Sequence, residues 1–313
     1  MNRTCSTLYF IAGVTSSGKT NLALDWAEQN RAEILSCDSV AIYKGMDVGS
    51  AKPTIAERER VVHHGLDLVN VGERYDVSQY LNYAKKVILD AYSRNSKILV
   101  VGGSGFYLRS FFASIVDGVS VSEEIKNSVE RTYQKHGLEG LLKELKLLNA
   151  KGLGDLDQAN PIRLIKSLER CLASGLSIVE LKEEFRKKPI PYSDFQKKTC
   201  LVDRENSELE QLIKKRTKLM LANGLIDEIE GLIGQGLLEN YPASNAIGYR
   251  QVLAYLRGER NKEDLIQDIN ISTRQLVSKQ RKWFRKYYNP DTSLTPKNDH
   301  KLCISDLNWT SDT

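Results

Sequence analysis

Short apolar runs alternate with amphipathic stretches along the first third of the chain. The apolar runs lie at residues 8–12, 34–37, 66–69 and 98–101, and glycine or polar residues bound each of them. Continuous apolar runs of this length are typical of strands buried on both faces of a parallel sheet. Between them, residues 77–94 carry apolar side chains at helical spacing, and Asp76 and Gln79 occupy the positions of a variant capping box. The pattern predicts an α/β fold, a parallel sheet with helices on both faces.

From residue 117 the pattern changes to helices alone. Four stretches have helical spacing, at residues 123–136, 138–148, 161–174 and 178–186. The third begins with Pro161 after Asn160 and ends before Gly175. The fourth begins with Ser177 and Glu180, which have the spacing of a capping box. These signals predict helix ends independently of the apolar spacing.

Strand-like sequence returns at residues 199–202, which indicates that the helices interrupt a single α/β domain. We therefore predict a core domain made of residues 1–116 and 196–290 and an all-helical insertion domain at residues 117–195. The last stretch, residues 291–313, is polar, and we expect it to form a loosely held tail.

Two later helices carry clusters of basic residues. The first begins with the capping-box spacing of Ser207 and Glu210 and holds a basic cluster made of Lys214, Lys215, Arg216 and Lys218. Such a cluster is usually a solvated helix face. The second helix covers residues 262–288 and ends in KQRKWFRKYY, in which basic and aromatic residues interleave. The aromatic residues fall on one arc, which fits either a core-facing stripe under a solvated basic face or a surface that binds RNA phosphates.

The strongest chemical signal is the string GVTSSGKT, which matches the phosphate-binding pattern G-x-x-x-x-G-K-[ST] between a predicted strand and a predicted helix. Its glycines let backbone N–H groups turn inward, and the N-terminus of the following helix attracts an anion. Lys19 adds a mobile positive charge, and the Thr20 hydroxyl is suited to ligate magnesium. We expect a di- or triphosphate to bind at Gly13, Val14, Thr15, Ser16, Ser17, Gly18, Lys19 and Thr20.

Two predicted strands bring further candidates to the same edge of the sheet, because the carboxyl ends of parallel strands meet there. Asp38 and Ser39 follow one strand, and the turn GGSG at residues 102–105 follows another. Asp38 is suited to hold the water shell of a metal ion or to act as a general base, and it also fits a capping role. The GGSG turn indicates either close backbone approach by a ligand or another chain, or an ordinary strand-to-helix turn.

Composition narrows the class of protein. Of the 313 residues 41 % are hydrophobic, and no apolar run is long enough to span a bilayer, so we expect a soluble globular protein. The five cysteines are scattered, which indicates reduced thiols rather than disulfides or a zinc site. A net charge of +5 is compatible with a nucleic-acid partner. His63 and His64 are adjacent and face opposite ways on an extended chain, so we expect them not to share a metal and to have a structural or loop role.

Several segments taken together resemble the tRNA dimethylallyltransferases, also called tRNA isopentenyltransferases. The similarity rests on the phosphate loop and on the strings DSVAIYKGMDVGSAKP, VVGGSGFYLR, NPIRLIKSLE, AIGYRQVLAYLRGE and TRQLVSKQRKWFR. The resemblance implies a P-loop NTPase-like sheet with a helical insertion. It also implies the bacterial form of the enzyme, because nothing matches the C-terminal zinc finger of some eukaryotic relatives.

The resemblance implies that the loop holds the diphosphate of dimethylallyl diphosphate, with Mg²⁺, rather than ATP. The dimethylallyl group then moves to N6 of the adenosine on the 3′ side of the anticodon, and pyrophosphate leaves. By resemblance, Asp38 is the base that takes the N6 proton. By the same resemblance, Arg216 stabilises the leaving group together with Lys19 and with the metal at Thr20.

The resemblance also implies a tRNA site. Its members are Asp38, Ser39, Val40, Ala41, Ser104, Lys126, Ile162, Arg163, Leu164, Ile165, Lys166, Asn245, Ala246, Ile247, Gly248, Tyr249 and Arg250. The insertion is expected to grip the anticodon arm, and the reacting adenine is expected to flip out of the stacked loop. The chain departs from the family pattern at residue 41, where a glutamine is common, and at residues 149–156.

The residues alone also fit two other functions. A small-molecule or nucleoside kinase would bind ATP at the same loop, with Asp38 deprotonating a substrate hydroxyl. A non-catalytic RNA-binding module would use the loop as a nucleotide-gated switch. Our expectation is a cytoplasmic monomer that binds the tRNA anticodon stem-loop and dimethylallyl diphosphate and has no membrane partner.

Overall fold

The computed structural model describes residues 6–115, 118–296, 302–307 and 309. The chain forms two compact units, one made of Met1–Phe111 with Tyr192–Thr313 and the other of Phe112–Pro191. We call them the core unit and the helical unit. The predicted boundaries were a few residues later in both cases, and Val116 and Asp117 at the first of them lie outside the described residues.

The core unit is built on a six-stranded parallel sheet. Its strands are β1 (Thr7–Gly13), β2 (Ala32–Cys37), β3 (His63–His64), β4 (Lys97–Gly102), β5 (Gln196–Val202) and β6 (Thr292–Leu294). Their order across the sheet is β3-β2-β4-β1-β5-β6, and every pairing is parallel. The middle strands β1 and β4 are largely buried, as their continuous apolar runs predict. The predicted parallel α/β fold is confirmed.

One predicted strand is wrong. Residues 66–69 form no strand, and the chain pairs with β2 at His63–His64 instead. Gly65 and Asp67 have positive φ angles of 79° and 55°, which turn the chain out of the extended conformation. Within this described stretch, Val69 forms an isolated β-bridge. The apolar run therefore packs as a loop.

In the described ranges, twelve α-helices accompany the sheet or form the helical unit. They are α1 (Lys19–Asn30), α2 (Ile55–Arg60), α3 (Val77–Ser93), α4 (Gly105–Arg109), α5 (Glu123–Leu148), α6 (Pro161–Ser174), α7 (Ile178–Arg186), α8 (Asn206–Ala222), α9 (Leu225–Ile233), α10 (Tyr241–Ser244), α11 (Tyr249–Leu256) and α12 (Lys262–Tyr287). A short 3₁₀ helix follows at Ile304–Leu307. None of these described helices is both long enough and apolar enough to cross a membrane.

Two predicted helix caps of the core unit have different outcomes. The capping box of α3 is confirmed, because the Asp76 carboxylate accepts the N–H of Gln79 and the Gln79 side chain accepts the N–H of Asp76. The box predicted at Ser207 is wrong, since α8 begins at Asn206 without a side-chain cap. The Glu210 carboxylate instead forms ion pairs with basic side chains, among them Lys214 one helical turn later.

The helical unit contains α5, α6 and α7. Gly137 breaks α5 with φ 59° and ψ −150°, so the two helical stretches predicted on either side of it are both present. The predicted caps at Asn160 and Ser177 are confirmed, because each side chain accepts an N–H group of the first helical turn. Gly175 ends α6 in the left-handed conformation, as the sequence predicts.

Asn149 connects two helices of this unit from within the atypical stretch at residues 149–156. Its Nδ2 donates to the carbonyl oxygen of Leu145 at 2.7 Å, and its Oδ1 accepts the N–H of Ile178 at 2.6 Å. The side chain thus joins the end of α5 to the start of α7 and satisfies a buried polar group with neighbours on both sides.

The C-terminal segment is not a loosely held tail where the structure describes it. Strand β6 pairs with β5, and the Asp291 carboxylate accepts hydrogen bonds from the N–H and the hydroxyl of Thr199, both at 2.8 Å. Leu307 is buried in the core cluster that includes α1. The Trp309 ring centroid lies 5.2 Å from that of Trp26. A few apolar residues in a polar segment are therefore enough to cover α1.

The loop after β2 is held against α9 by one carboxylate. Glu228 accepts the N–H groups of Asp47, Val48 and Gly49 at 2.9, 2.6 and 3.1 Å. The hydroxyl of the fully buried Tyr249 donates to the same carboxylate at 2.6 Å. Gly49 lies so close to the Tyr249 ring that a Cβ atom would be 2.4 Å from it. The shared carboxylate and this close contact fix the position of the loop.

Leu307→Ala should lower the free energy of unfolding by about 2–4 kcal/mol, because it removes a buried side chain from the cluster over α1. Leu238→Ala is the matched control, since Leu238 is 54 % exposed and its truncation should cost less than about 0.5 kcal/mol. Urea unfolding followed by tryptophan fluorescence measures both variants. Equal stabilities of the two variants would contradict a core role for the C-terminal segment.

Gly49→Ala should lower the free energy of unfolding by about 1–3 kcal/mol, because the new methyl group meets the Tyr249 ring. Gly231→Ala is the control, since Gly231 lies in α9 with open space around it, and alanine there should stabilise by about 0.5–1 kcal/mol. Thermal unfolding of the two variants gives the comparison. A Gly49→Ala protein as stable as the wild type would show that the loop moves freely away from Tyr249.

Candidate active site

The loop that follows β1 has the geometry of an anion-binding site. Gly13 ends the strand so close to β5 that a Cβ atom would lie 2.4 Å from the carbonyl oxygen of Val202. Ser16 and Gly18 then have positive φ angles of 65° and 88°, and α1 begins at Lys19. The first N–H groups of a 12-residue helix are thereby left without helical partners at the carboxyl edge of the sheet, where they attract negative charge.

A small cavity of about 120 Å³ lies beside this loop. Among its lining residues are Lys19, Thr20, Asp38, Lys52 and Arg216. The side chain of Lys52 is 1 % exposed, and its ammonium group donates to the carboxylates of Asp47 and Asp67, both at 2.6 Å. Lys52 is therefore a structural cation, and Lys19 and Arg216 are left to face a ligand.

Burial and charge repulsion act on these two cations. Burial, followed by the positive charge of Arg216, lowers the pKa of Lys19 to about 8, while the Asp38 carboxylate opposes the shift. Burial also lowers the pKa of Arg216, again against the effect of Asp38. Lys19 donates to the carbonyl oxygen of Val14 at 3.1 Å, and Arg216 donates to that of Ser50 at 3.4 Å. Two cations around one carboxylate leave an excess of positive charge, which favours an anion.

A larger cavity of about 650 Å³ adjoins the small one. The two cavities share Thr15, Asp38, Ser50 and Arg216. Much of the larger wall is apolar or aromatic, with contributions from Tyr43, Tyr107, Met220, Ile247, Ile269 and Trp283. This volume is in the range of pockets that hold whole small molecules. Asp38 and Arg216 therefore lie at the junction of a cationic compartment and a largely apolar one.

The Asp38 side chain is oriented by its own loop. Its Oδ1 atom accepts the N–H groups of Val40 at 2.8 Å and of Ala41 at 3.3 Å. In the part of the chain that the structure describes, Oδ2 makes no hydrogen bond and is left for a substrate. The capping role and the chemical role that the sequence left open are compatible, because they use different oxygen atoms.

The turn after β4 packs closely against neighbouring segments. A Cβ atom on Gly105 would lie 2.4 Å from the Trp283 ring of α12. The Ser104 hydroxyl accepts the N–H of Ser39 at 3.2 Å, which ties this turn to the residue after Asp38. The glycines therefore serve the close approach of other parts of the same chain.

The segment after α10 supplies part of the larger cavity. Asn245, Ala246 and Ile247 line it. Tyr249 is fully buried and its hydroxyl donates to Glu228, so its side chain does not face solvent, and a contact with RNA at this residue stays a prediction. Gly248 precedes it, also buried, and Arg250 follows it, exposed.

Within the helical unit, burial divides the predicted RNA contacts. Ile162, Arg163 and Lys166 are exposed on α6. Leu164 is fully buried in the core of the unit, so its side chain does not face solvent, and a contact with RNA at this residue stays a prediction. Helical spacing explains the difference, because residue 164 lies on the face opposite to residues 162 and 166. The half-buried members are Lys126 and Ile165.

The basic and aromatic end of α12 serves both the core and the larger cavity. Phe284 and Tyr288 are buried, and Trp283 lines the cavity. Tyr287 is 39 % exposed, with the Arg109 guanidinium 4.4 Å from its ring centroid. The aromatic arc is thus not one core-facing stripe, because its members divide among core, cavity and surface.

His63 and His64 have separate partners. The Nδ1 atom of His63 lies 2.7 Å from the carbonyl oxygen of Val61, and the Nε2 atom of His64 lies 2.6 Å from the Glu33 carboxylate. The described residues include no cluster of three or more histidine, cysteine or acidic side chains suited to a metal. Free thiols are found at Cys37, Cys171, Cys200 and Cys303.

Sequence reasoning missed the side chains that hold these loops in place. Gln280 bonds to the N–H of Thr15, and Arg204 bonds to the carbonyl oxygen of Ser17. Glu228 anchors the loop after β2. Gln280 lies within a string that carries the family resemblance, but neither spacing nor composition shows which loop its amide reaches.

Comparison with known sequences identifies a family. Residues 41–287 match the family described as IPP transferase. A tRNA dimethylallyltransferase of Opitutus terrae is 44 % identical over 278 residues, which cover 89 % of each chain. A tRNA dimethylallyltransferase 2 of Geotalea uraniireducens is 33 % identical over 296 residues, which cover 95 % of this chain and 94 % of that protein.

Solved structures have the same fold. The tRNA isopentenylpyrophosphate transferase of Bacillus halodurans is 26 % identical, with a TM-score of 0.66 over 93 % of this chain and 90 % of that one. A eukaryotic dimethylallyltransferase acting on tRNA is 23 % identical, with a TM-score of 0.76 over 93 % of this chain and 74 % of that one, a likeness of fold alone. The phosphate loop, the extent of the family match and the identity to its members agree, and this chain belongs to the IPP transferase family.

Proposed function

We propose that this protein transfers the dimethylallyl group of dimethylallyl diphosphate to N6 of the adenosine on the 3′ side of the anticodon of tRNA. The observation that carries the proposal is the junction of two unlike cavities at Asp38 and Arg216. Dimethylallyl diphosphate also has two unlike parts. Its anionic diphosphate is suited to Lys19 and the helix N-terminus, and its apolar dimethylallyl group is suited to the larger cavity.

The reaction breaks the bond between C1 of the dimethylallyl group and the diphosphate oxygen, and it forms a bond between C1 and N6. Adenine N6 is a weak nucleophile because its lone pair is delocalised into the ring, so removal of its proton assists the attack. We assign that proton to the Oδ2 atom of Asp38. Arg216 and Lys19 stabilise the charge that develops on the leaving pyrophosphate.

The oxygen atoms beside the loop fit a magnesium ion. Thr20 and Asp38 both line the small cavity, and oxygen is the ligand atom that magnesium prefers. One or two protein ligands are typical, because water and phosphate oxygens complete the shell. We propose Thr20 as the direct ligand. When bound, the ion supplies further neutralisation of the diphosphate charge.

We assign the acceptor adenine to the larger cavity. A base in a stacked anticodon loop has to leave the stack before its exocyclic amine reaches Asp38. Ser39, Ser104 and Asn245 line this cavity with polar groups suited to the edge of a base. In the helical unit, the exposed Arg163 is suited to a phosphate of the anticodon arm.

A monomer in the cytoplasm is the form that we propose to be active. The residues that we assign to both substrates belong to one chain, so the proposed reaction requires no residue of a partner subunit. The substrate supports the cytoplasm, since unmodified tRNA is found there. No membrane partner is included in the proposal.

Asp38→Asn should lower kcat for dimethylallyl transfer by about 10²–10⁴-fold, because it keeps the shape of the side chain and removes the base. The assay is mass spectrometry of nucleosides from unmodified tRNA that was incubated with the protein, magnesium and dimethylallyl diphosphate. Asp227→Asn is the control, since Asp227 is an exposed residue in the first turn of α9. The expected product is adenosine carrying one added dimethylallyl group.

Two outcomes of this assay would contradict different parts of the proposal. If the wild-type protein adds no dimethylallyl group to any tRNA and consumes ATP instead, prenyl transfer is wrong and a kinase is favoured. If Asp38→Asn transfers the group at the wild-type rate, the reaction stands and the assignment of Asp38 as base is wrong.

Diphosphate binding should weaken as the pH rises above about 8, the value to which the pKa of Lys19 is lowered in the free protein. Below this pH Lys19 is an ammonium that attracts the anion, and above it the neutral amine does not. The affinity for inorganic pyrophosphate should fall by up to about tenfold per pH unit in this range. Calorimetric titrations between about pH 7 and pH 9 measure this change.

Lys19→Arg is the matched variant for this titration, because arginine stays charged throughout and corrects for the ionisation of pyrophosphate itself. The difference between wild type and Lys19→Arg should grow with pH. Parallel pH profiles of the two proteins would show that Lys19 does not titrate in this range.

A further inference from the structure

One side chain of α12 holds two loops of the active site at once. The Oε1 atom of Gln280 accepts the N–H of Thr15 at 2.9 Å, and its Nε2 atom donates to the carbonyl oxygen of Gly103 at 3.0 Å. Thr15 belongs to the phosphate loop, and Gly103 belongs to the turn after β4. A single amide therefore bridges the two loops.

The fit around this amide is close. A Cβ atom on Gly103 would lie 2.6 Å from Nε2 of Gln280 and 2.8 Å from the carbonyl oxygen of Gly13. The orientation of the amide is determined by its partners, because Thr15 offers a donor and Gly103 an acceptor. A glutamate in this position has no proton to donate when it is ionised, and an asparagine is one methylene shorter.

The next residue of α12 reaches the other half of the phosphate loop. Arg281 forms an ion pair with Asp203 at 2.8 Å and donates to the carbonyl oxygen of Arg204 at 2.6 Å. The Nε atom of Arg204 donates in turn to the carbonyl oxygen of Ser17 at 2.9 Å. Consecutive residues of α12 thus support the loop directly at Thr15 and indirectly at Ser17.

The residue between these two supports has an unfavourable conformation. Ser16 has a φ of 65°, a left-handed conformation that is costly for a residue with a Cβ atom. The hydroxyl groups of Ser16 and Ser17 are buried and make no hydrogen bond in the described structure. Within the loop, the N–H of Ser17 and the ammonium group of Lys19 donate to the carbonyl oxygen of Val14 at 3.3 and 3.1 Å. Gln280 and Arg204 add support from outside the loop, on either side of Ser16.

We propose that Gln280 is a positioning residue for diphosphate binding. By accepting the N–H of Thr15, it sets the turn at Ser16 and thereby directs the later N–H groups of the loop and Lys19 towards the anion. This inference rests on the proposed function, because the diphosphate is the anion assigned to the loop. Gln280 itself acts through the main chain and does not touch the diphosphate.

The test is calorimetric titration with inorganic pyrophosphate and magnesium in the absence of tRNA. Gln280→Ala should raise the Kd for pyrophosphate about tenfold, and Gln280→Glu should raise it further, because a carboxylate then faces the carbonyl oxygen of Gly103. Gln275→Ala is the matched control, since Gln275 is exposed on the same helix and should leave the Kd unchanged. Thermal unfolding of each variant shows that it is folded.

Steady-state kinetics separate positioning from a general structural role. In Gln280→Ala we expect KM for dimethylallyl diphosphate to rise about tenfold while KM for tRNA changes by less than about twofold. A loss of folded protein would lower the apparent kcat and leave both KM values unchanged. The selective rise in one KM is therefore the signature of the proposal.

Three outcomes would overturn the inference in distinguishable ways. If Gln280→Ala binds pyrophosphate as the wild type does, the positioning role is wrong and the proposed function is unaffected. If only KM for tRNA rises, Gln280 contacts RNA instead. If the wild-type protein itself does not bind pyrophosphate, the diphosphate site fails, and with it both the proposed function and this inference.

Discussion

The proposed active site depends on two cations that are confined beside one carboxylate. Lys19 and Arg216 both line a cavity of about 120 Å³, and burial together with their repulsion lowers the pKa of Lys19. Asp38 offsets only part of this unfavourable charge. The diphosphate that we propose as ligand would reduce this repulsion. The folding free energy therefore keeps the two cations together before the ligand binds.

Such a site needs supports that do not relax, and these come from distant parts of the chain. Glu228 of α9 holds the loop after β2 through three N–H groups, and Gln280 of α12 holds the phosphate loop. Lys52 is clamped between Asp47 and Asp67. Because the supports from Glu228 and Gln280 join segments that are far apart in sequence, the geometry of the site follows from the packing of the core unit rather than from any one loop.

The sequence predicted those elements whose signals are local. The phosphate loop, the parallel strands and the ends of α6 follow from glycine placement, apolar runs and caps over a few residues. Prediction failed for two kinds of reason. Residues 66–69 form a loop because positive φ angles at Gly65 and Asp67 divert the chain, which the apolar run does not show. Residues 292–294 form a strand because a distant partner, the edge of β5, is available to them.

The candidate site residues also include some that line the two cavities and some that do not. Resemblance pointed to Asp38 and Arg216, and both lie at the junction of the two cavities, but it also pointed to Tyr249, which is buried. A matched position does not specify which atoms reach the substrate. Ala41 is the opposite case, in which a residue departs from the family pattern and a contact is kept. It lacks the amide that is common at its position, yet its backbone N–H still holds Oδ1 of Asp38 at 3.3 Å. The orientation of the proposed base is therefore a property of the main chain of this loop, which Glu228 anchors, and it does not depend on the side chain at residue 41.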